Sequence, residues 1–246
     1  MSAAERSAGL RKPLVSVLIP VYNGEAHLGE AIESVLSQDY PRIEVIVIDD
    51  ASADRSAEIA RAYDGVRVIE RPVNGMVARA RNDGLAEASG EFVALLDHDD
   101  LMTEVRIPVQ AGHLIEHPET DVVLGMEQVF VEEGGKINTG VSAPRPNASP
   151  GEEAVIAYHP PTLMARTAVL RRFGFDEGVD FADDLDLCLR LMEDPEVGVE
   201  RMQTVVTLRR FHPNNITRDE QRARIAFARA VKRRIERKRA AAATES

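Results

Sequence analysis

One stretch constrains this chain more than any other: Glu91-Phe92-Val93-Ala94-Leu95-Leu96-Asp97-His98-Asp99-Asp100. Its apolar half is continuous, the pattern of a strand covered on both faces rather than one alternating between core and water. That run ends abruptly in three carboxylates and an imidazole, which must then lie at the carboxyl end of a central strand. In open α/β sheets this edge is where ligands bind. Carboxylates crowded beside a core strand repel one another unless a positive charge neutralises them. A hard divalent cation meets that need, and magnesium commonly shares such a site with phosphate oxygens. The stretch therefore points to a combined metal and nucleotide site.

The chain around it is long enough to support such a sheet. At 246 residues and 44% hydrophobic it can build one full core with a small appended region. A net charge of -11 argues against a dedicated nucleic-acid binder. The single cysteine, Cys188, excludes an internal disulfide and a zinc cluster. Residues 1–12 read as a flexible polar tail without the apolar centre of a signal peptide, and no apolar run approaches a membrane span. The expected location is cytoplasmic.

Taken in order, the first hundred residues alternate strand and helix. Val15 to Ile19 and Ile43 to Ile48 read as buried strands, Val66 to Ile69 as a third, and the run before Asp97 as the fourth. Between them, Leu28, Ala31, Ile32, Val35 and Leu36 recur at helical spacing, a second helix runs to about Tyr63, and a third spans Met76 to Glu87. Repeated βαβ units imply a parallel sheet with right-handed crossovers. Both Asp49-Asp50 and Asp97 then arrive at one edge. That coincidence weighs more than either acidic cluster alone.

The second half is less regular. Arg106 to Glu116, Thr167 to Phe173 and a segment opening at Asp183 or Asp184 read as helices. Val122 to Gly125, Gln128 to Val131 and Val205 to Phe211 read as strand pieces, with Gly134-Gly135 as a hairpin turn. Residues 138–153 form a long loop or lid. Asp219 to Arg239 reads as a basic helix packed through Ile225, Phe227, Ala228, Val231 and Ile235. A membrane-surface role for its charge is the sharper alternative.

Several further residues carry chemistry. Arg79 or Arg81 can hold carboxylates in place or contact phosphate, while Ala78 and Gly84 allow their helix close to the sheet. Asp176, Glu177, Asp180, Asp183, Asp184 and Asp186 are the pool for a general base, although acids at a helix start more often just complement its dipole. His212, on the loop after the last strand, is placed to reach a metal or a phosphate. His98 reads as structural.

In this order the segments resemble the family 2 glycosyltransferases of the GT-A fold, from Val15 to about Asn215. The matching stretches are Val17 to Asn23, Ile46 to Ser52, Ala78 to Gly84, Leu96 to Asp100, and Phe181 to Arg190. The resemblance implies an α/β, Rossmann-like, mostly parallel sheet flanked by helices, with a nucleotide-binding half over 13–101 and an acceptor half over 102–218. Residues 219–246 add a basic helix and tail. It implies inverting transfer of a sugar from a nucleotide-diphosphate sugar, UDP-linked, to a hydroxyl acceptor, with Mg²⁺ or Mn²⁺. By the same resemblance, Pro20, Val21, Tyr22, Asn23 and Asp50 belong to the nucleoside pocket. Asp97 and Asp99 fit the family's Asp-x-Asp, the first near the ribose and the second on the metal, with Asp97, Asp100 and His212 as further metal candidates and the direct ligand among the three acids left open. Arg81 would lie near the donor phosphates.

Asp183-Asp184-Leu185-Asp186-Leu187 resembles the family's Glu-Asp-x-Asp-Leu, with Asp183 where the family has Glu. On that match Asp184 is the catalytic base and Asp183 a substrate-side residue. Arg210-Phe211-His212 resembles the Arg-x-His ending of non-processive members, and the chain has no tryptophan with which to build the processive Gln-x-x-Arg-Trp. The acceptor is left open: a glycan, a lipid-linked molecule or a small molecule. Two alternatives compete: a nucleotidyltransferase, and a non-catalytic module that binds nucleotide sugars. The first would need a basic Gly-rich loop after the first strand, where this chain has Pro20-Val21-Tyr22-Asn23.

Overall fold

A computed structural model describes residues 12–133, 155–157, 160–179, 182–213, 215, 225, 228–237 and 239. The tail before Lys12, the turn at Gly134-Gly135, the loop over 138–153, Asp180 and Phe227 lie outside the described residues. So do residues 219–224 of the expected C-terminal helix.

The described strands are β1 (Val15–Val21), β2 (Ile43–Asp49), β3 (Val66–Glu70), β4 (Phe92–Leu95), β5 (Leu101–Met102), β6 (Val122–Val131), β7 (Val155–Ala157), β8 (Met164–Arg166) and β9 (Val199–Phe211). The helices are α1 (Leu28–Leu36), α2 (Ser56–Arg61), α3 (Met76–Glu87), α4 (Arg106–Glu116), α5 (Thr167–Phe173) and α6 (Asp183–Glu193). One sheet runs in the order β3-β2-β1-β4-β8-β6-β9-β5, with β7 added beside β6. The first four strands are parallel, as their βαβ pattern requires. β8 then inserts antiparallel between β4 and β6, and β9 runs parallel to β6. The carboxyl ends of β1, β2, β4, β6 and β9 therefore share one edge.

Side chains alternate along β1, so the sheet is covered on both faces. Val15, Val17 and Ile19 pack with Leu28, Ile32 and Val35 of α1 and with Ile107, Ala111 and Leu114 of α4. Leu18, with Ile46 and Ile48 of β2, faces Ala80 and Leu85 of α3, Leu170 of α5 and Leu187 of α6. Complete burial of such side chains contributes about 1.5–3 kcal/mol each. Gly84 is what lets α3 sit this low: a Cβ there would lie 2.6 Å from Ile48 Cδ1.

Three expectations change. The two pieces at 122–125 and 128–131 are one strand, β6, with an irregularity in its register against β9 between Leu124 and Glu127. Thr162 Oγ1 bonds both the N–H and the carbonyl of Gly125 at 3.1 Å, so a hydroxyl stabilises the backbone at that kink. The last strand begins at Val199 rather than Val205, because its polar first half pairs with β6 while keeping much of its surface in water.

The C-terminal helix is helical at 225, 228–237 and 239, and among its described residues two of the expected apolar stripe, Ile225 and Ile235, are turned to solvent. Ile225 and Ile235 are each 46% exposed, while Ala230 is buried against Val179 and Ala182. The helix face is set by charge instead: Arg233, Arg234 and Arg237 reach Asp176, Glu193 and Asp186. Among the described residues no helix is long and apolar enough to cross a membrane.

Candidate active site

At the shared edge, the loop after β1 is laced to the loop after β2. Asn23 N–H donates to Ser52 Oγ at 2.9 Å, and Ala53 N–H donates to Asn23 Oδ1 at 2.8 Å. Gly24 and Glu25 donate to Ser56 Oγ and Asp54 Oδ2, both at 2.9 Å. Asn23 and Ala51 hold positive φ, 52° and 62°, in these same loops. A left-handed alanine costs about 1–3 kcal/mol and persists only where its surroundings dictate it. Pro20 and Val21 are buried at the end of β1, whereas Tyr22 is 51% exposed and available to a ligand.

Asp50 is buried beneath this edge. Its Oδ1 accepts from Gly75 N–H at 2.9 Å and is ion-paired with Arg71, which also donates to Asp83 at 2.7 Å. Arg71 was not a sequence candidate. It follows β3 in a loop with no motif of its own, and only the strand order brings it to Asp50.

The acidic turn after β4 separates its three carboxylates. Asp97 stays about a third exposed and accepts from Arg81 Nη2 at 2.8 Å. Asp99 Oδ2 faces His212 Nε2 at 3.1 Å and Asn215 Nδ2 at 3.2 Å. Burial works to raise the Asp99 carboxyl, but the contact with His212 and the nearby His98 outweigh it and hold it well below its usual range. Asp100 turns inward: it is buried, its Oδ1 accepts from Arg210 N–H at 2.9 Å, and burial beside Asp99 and Asp97 pushes it well above the usual carboxylate range. His98 lies over the β1 loop, where a Cβ on Gly24 would come within 2.2 Å of its ring.

Arg210 ties the site together. Its Nε donates to the Asp99 carbonyl at 2.9 Å, and its two Nη groups pair with Glu30 at 2.6 Å and with Glu132. Behind it, Glu127 is fully buried and paired with Arg209 at 3.3 Å. Arg106, also fully buried, donates to the carbonyls of Leu95, Pro161 and Leu163 and to Thr207 Oγ1, at 2.7, 3.0, 3.3 and 2.9 Å. Burial lowers its pKa to about 9, which leaves it charged at neutral pH. Glu127 and Arg106 escaped the sequence reading because each looks like an ordinary charged position in an amphipathic segment.

On the other side of Asp97, Arg81 is 3% exposed and donates through Nη1 to Asp183 Oδ2 at 2.8 Å, with Asp184 Oδ2 at 3.9 Å. Its guanidinium also stacks on Phe175, 5.6 Å from the ring centre. Burial alone would lower the Arg81 pKa, but Asp183, Asp97 and Asp184 together raise it. So of the two roles open to this arginine, the geometry is that of a holder of carboxylates. Asp183 and Asp184 stand in the first turn of α6; Asp183 is buried and Asp184 side chain is 20% exposed. Asp184 is thus the more exposed member of the pair.

Asp99 and His212 are the residues that would hold a metal at this edge, an oxygen and an imidazole donor side by side. Asp99 Oδ2 and His212 Nε2 lie 3.1 Å apart, in direct contact with one another. Among the described residues no three His, Cys, Asp or Glu side chains converge into a complete cation cluster. Oxygen atoms from a phosphate-bearing ligand would have to complete the shell, as is usual for magnesium-type sites.

A model of the family described as "Glycosyl transferase family 2" matches residues 16–178. EpsE of Bacillus subtilis, assigned as a glycosyltransferase, is 32% identical over 209 residues, covering 80% of this chain and 73% of its own. Among solved structures, S. aureus TarS 1–349 in complex with UDP superposes with a TM-score of 0.62 at 26% identity, over 81% of this chain and 61% of TarS 1–349. A mannosyltransferase from Pyrobaculum calidifontis, solved with GDP-Man and Mn²⁺, shares the fold with a TM-score of 0.66 at 21% identity, over 93% of this chain and 70% of its own. The present chain thus spans about three fifths of the TarS segment it matches.

Proposed function

This chain belongs to glycosyl transferase family 2, and from that premise we propose that it transfers a sugar from a UDP-linked donor to a hydroxyl acceptor in one inverting displacement. Family membership sets aside the nucleotidyltransferase alternative, and acids at both sheet-edge clusters weigh against a non-catalytic module. The UDP reading is supported by the likeness to TarS, which was solved with UDP bound.

The observation that carries the mechanism is the Arg81 bridge. One buried guanidinium holds Asp97, at the end of β4, and Asp183, in the first turn of α6. It sets the donor side and the base side of the site at a constant separation. Pro20, Val21, Tyr22, Asn23 and Asp50 line the nucleoside side of the edge. Asp99 and His212 would hold the cation, with Asp97 at the start of the same turn, held by Arg81, and Asp100 supporting the turn from within. A bound Mg²⁺ or Mn²⁺ would supply charge stabilisation for the departing diphosphate. Asp184 takes the proton of the acceptor hydroxyl as that oxygen attacks the anomeric carbon from the face opposite the nucleotide. Arg81 Nη1 stands 3.9 Å from Asp184 Oδ2, beyond hydrogen-bond distance.

Asp184→Asn tests this reading. Calorimetry should find UDP binding in Mn²⁺ within about twofold of the parent, while transfer falls by about 10²–10⁴. Retention of transfer would place the base elsewhere. A thermal-shift panel of nucleotide sugars identifies the donor, since a bound ligand raises apparent stability by mass action.

A further inference from the structure

Two residues beyond Asp184, Asp186 is fully buried in α6 and is held from two directions. Arg190, one turn on, donates to it at 2.8 Å and also donates to the carbonyls of Phe173 and Gly174, at 2.8 and 2.6 Å. Arg237 of the C-terminal helix is ion-paired with its other oxygen. The same guanidinium reaches Asp176 Oδ2 at 3.4 Å, in the segment leading from α5 towards α6. That segment is also held from α3, where Asn82 exchanges hydrogen bonds of 2.9 and 3.0 Å with the Phe175 backbone.

We propose that Arg237 is a positioning residue for transfer: its guanidinium fork, spanning Asp186 and Asp176, fixes the first turn of α6 and with it the aim of Asp184. The inference rests on Asp184 being the base. Arg233 and Arg234 each lie three or four residues from both Ala230 and Arg237, so the four share one helix face. Ala230 is buried on the body, and Arg234 pairs with Glu193 at 2.5 Å, near the far end of α6. Arg234 therefore secures the same helix without touching the acidic turn. A planar guanidinium joins two carboxylates in a set geometry, which a lysine does not reproduce. A displacement of about 1 Å at a reacting group can lower turnover about a hundredfold.

The test uses the full chain with Mn²⁺ and three donor probes, UDP-glucose, UDP-N-acetylglucosamine and GDP-mannose, following release of nucleoside diphosphate. In Arg237→Met, kcat should fall about ten- to a hundredfold while the donor KM stays within about twofold. Arg234→Met should leave both near the parent values. Unchanged kcat in Arg237→Met, or an equal loss in Arg234→Met, overturns the proposal. If Arg237→Met does not fold, Arg237→Lys takes its place: the same split supports the proposal and parental turnover overturns it. If no probe turns over, hydrogen exchange decides. Faster exchange at residues 183–186 in Arg237→Met but not in Arg234→Met supports the proposal, and equal exchange refutes it. Asp184→Asn runs alongside, because full activity there strikes the base assignment, whereas an inert Arg237 change strikes only this inference.

Discussion

Arg81 and Asp183 form a buried ion pair at 2.8 Å, with side chains 3% and 2% exposed, across 102 residues of sequence. The pair joins a helix of the nucleotide half to the helix that carries the candidate base. Its geometry, and that of its neighbours, leads to four expectations.

Removing Arg81 strands Asp183 and releases Asp97. Arg81→Met should cost about 3–5 kcal/mol, the range for breaking a buried pair from one side, read as a lower urea midpoint. Arg81→Lys should recover little, because one ammonium cannot reproduce the contacts of Nη1 with Asp183 and Nη2 with Asp97. A double-mutant cycle with Asp183→Asn should show strong coupling.

Asp183 should give the protein an acid-side titration. Burial, reinforced by Asp184 and opposed by Arg81, pushes its carboxyl up to about 6. An unfolded aspartate titrates near about 3.9, so between these values the folded chain holds the extra proton. The stability contributed by this group is therefore complete below about pH 4 and lost as pH rises through about 6, by up to about 3 kcal/mol. Asp183→Asn should abolish that slope in denaturation curves taken across the interval. Transfer should move the opposite way, falling below about pH 6 as the ion pair loses its negative partner.

The three acids of the β4 turn should separate in metal binding. Asp99→Asn and His212→Ala should each weaken Mn²⁺ binding by at least about ten- to a hundredfold in calorimetry with UDP present. Asp100→Asn should change it by less than about threefold, because Asp100 faces the Arg210 backbone rather than Asp99's partners. A large loss in Asp100→Asn would reassign the ligand.

Arg106 should matter for stability rather than chemistry. Arg106→Lys loses most of the donors that serve Leu95, Pro161, Leu163 and Thr207. A cost of about 3 kcal/mol corresponds to a melting temperature about 6–12 °C lower, with donor affinity little changed.

Much of the nucleotide half was legible because its signals are local. Continuous β-branched runs gave β1 and β2, helical spacing gave α1 and α3, and two strand ends in acid marked the edge. The short strands β5, β7 and β8 were not legible, since two or three residues carry no period and form only where a partner strand receives them. The C-terminal helix misled for a related reason. Its apolar stripe was real, yet the docked face is the one whose arginines meet Asp176, Asp186 and Glu193. Three of the nine basic residues of 219–246 are thereby engaged with the body of the protein.

The sequence by itself determined the residue types at the site and their order along the chain: acids after β2 and β4, an arginine on α3, paired aspartates opening α6. It could do so because strand direction sends successive carboxyl ends to one edge, and short motifs keep their local geometry. Only the tertiary structure decided how those charges are shared. Asp97, Asp99 and Asp100 are neighbours in sequence, yet they face Arg81, His212 and the Arg210 backbone respectively. Each partner arrives from a different element, and a charge buried at such a junction takes its protonation and its role from whichever counter-charge the fold brings to it.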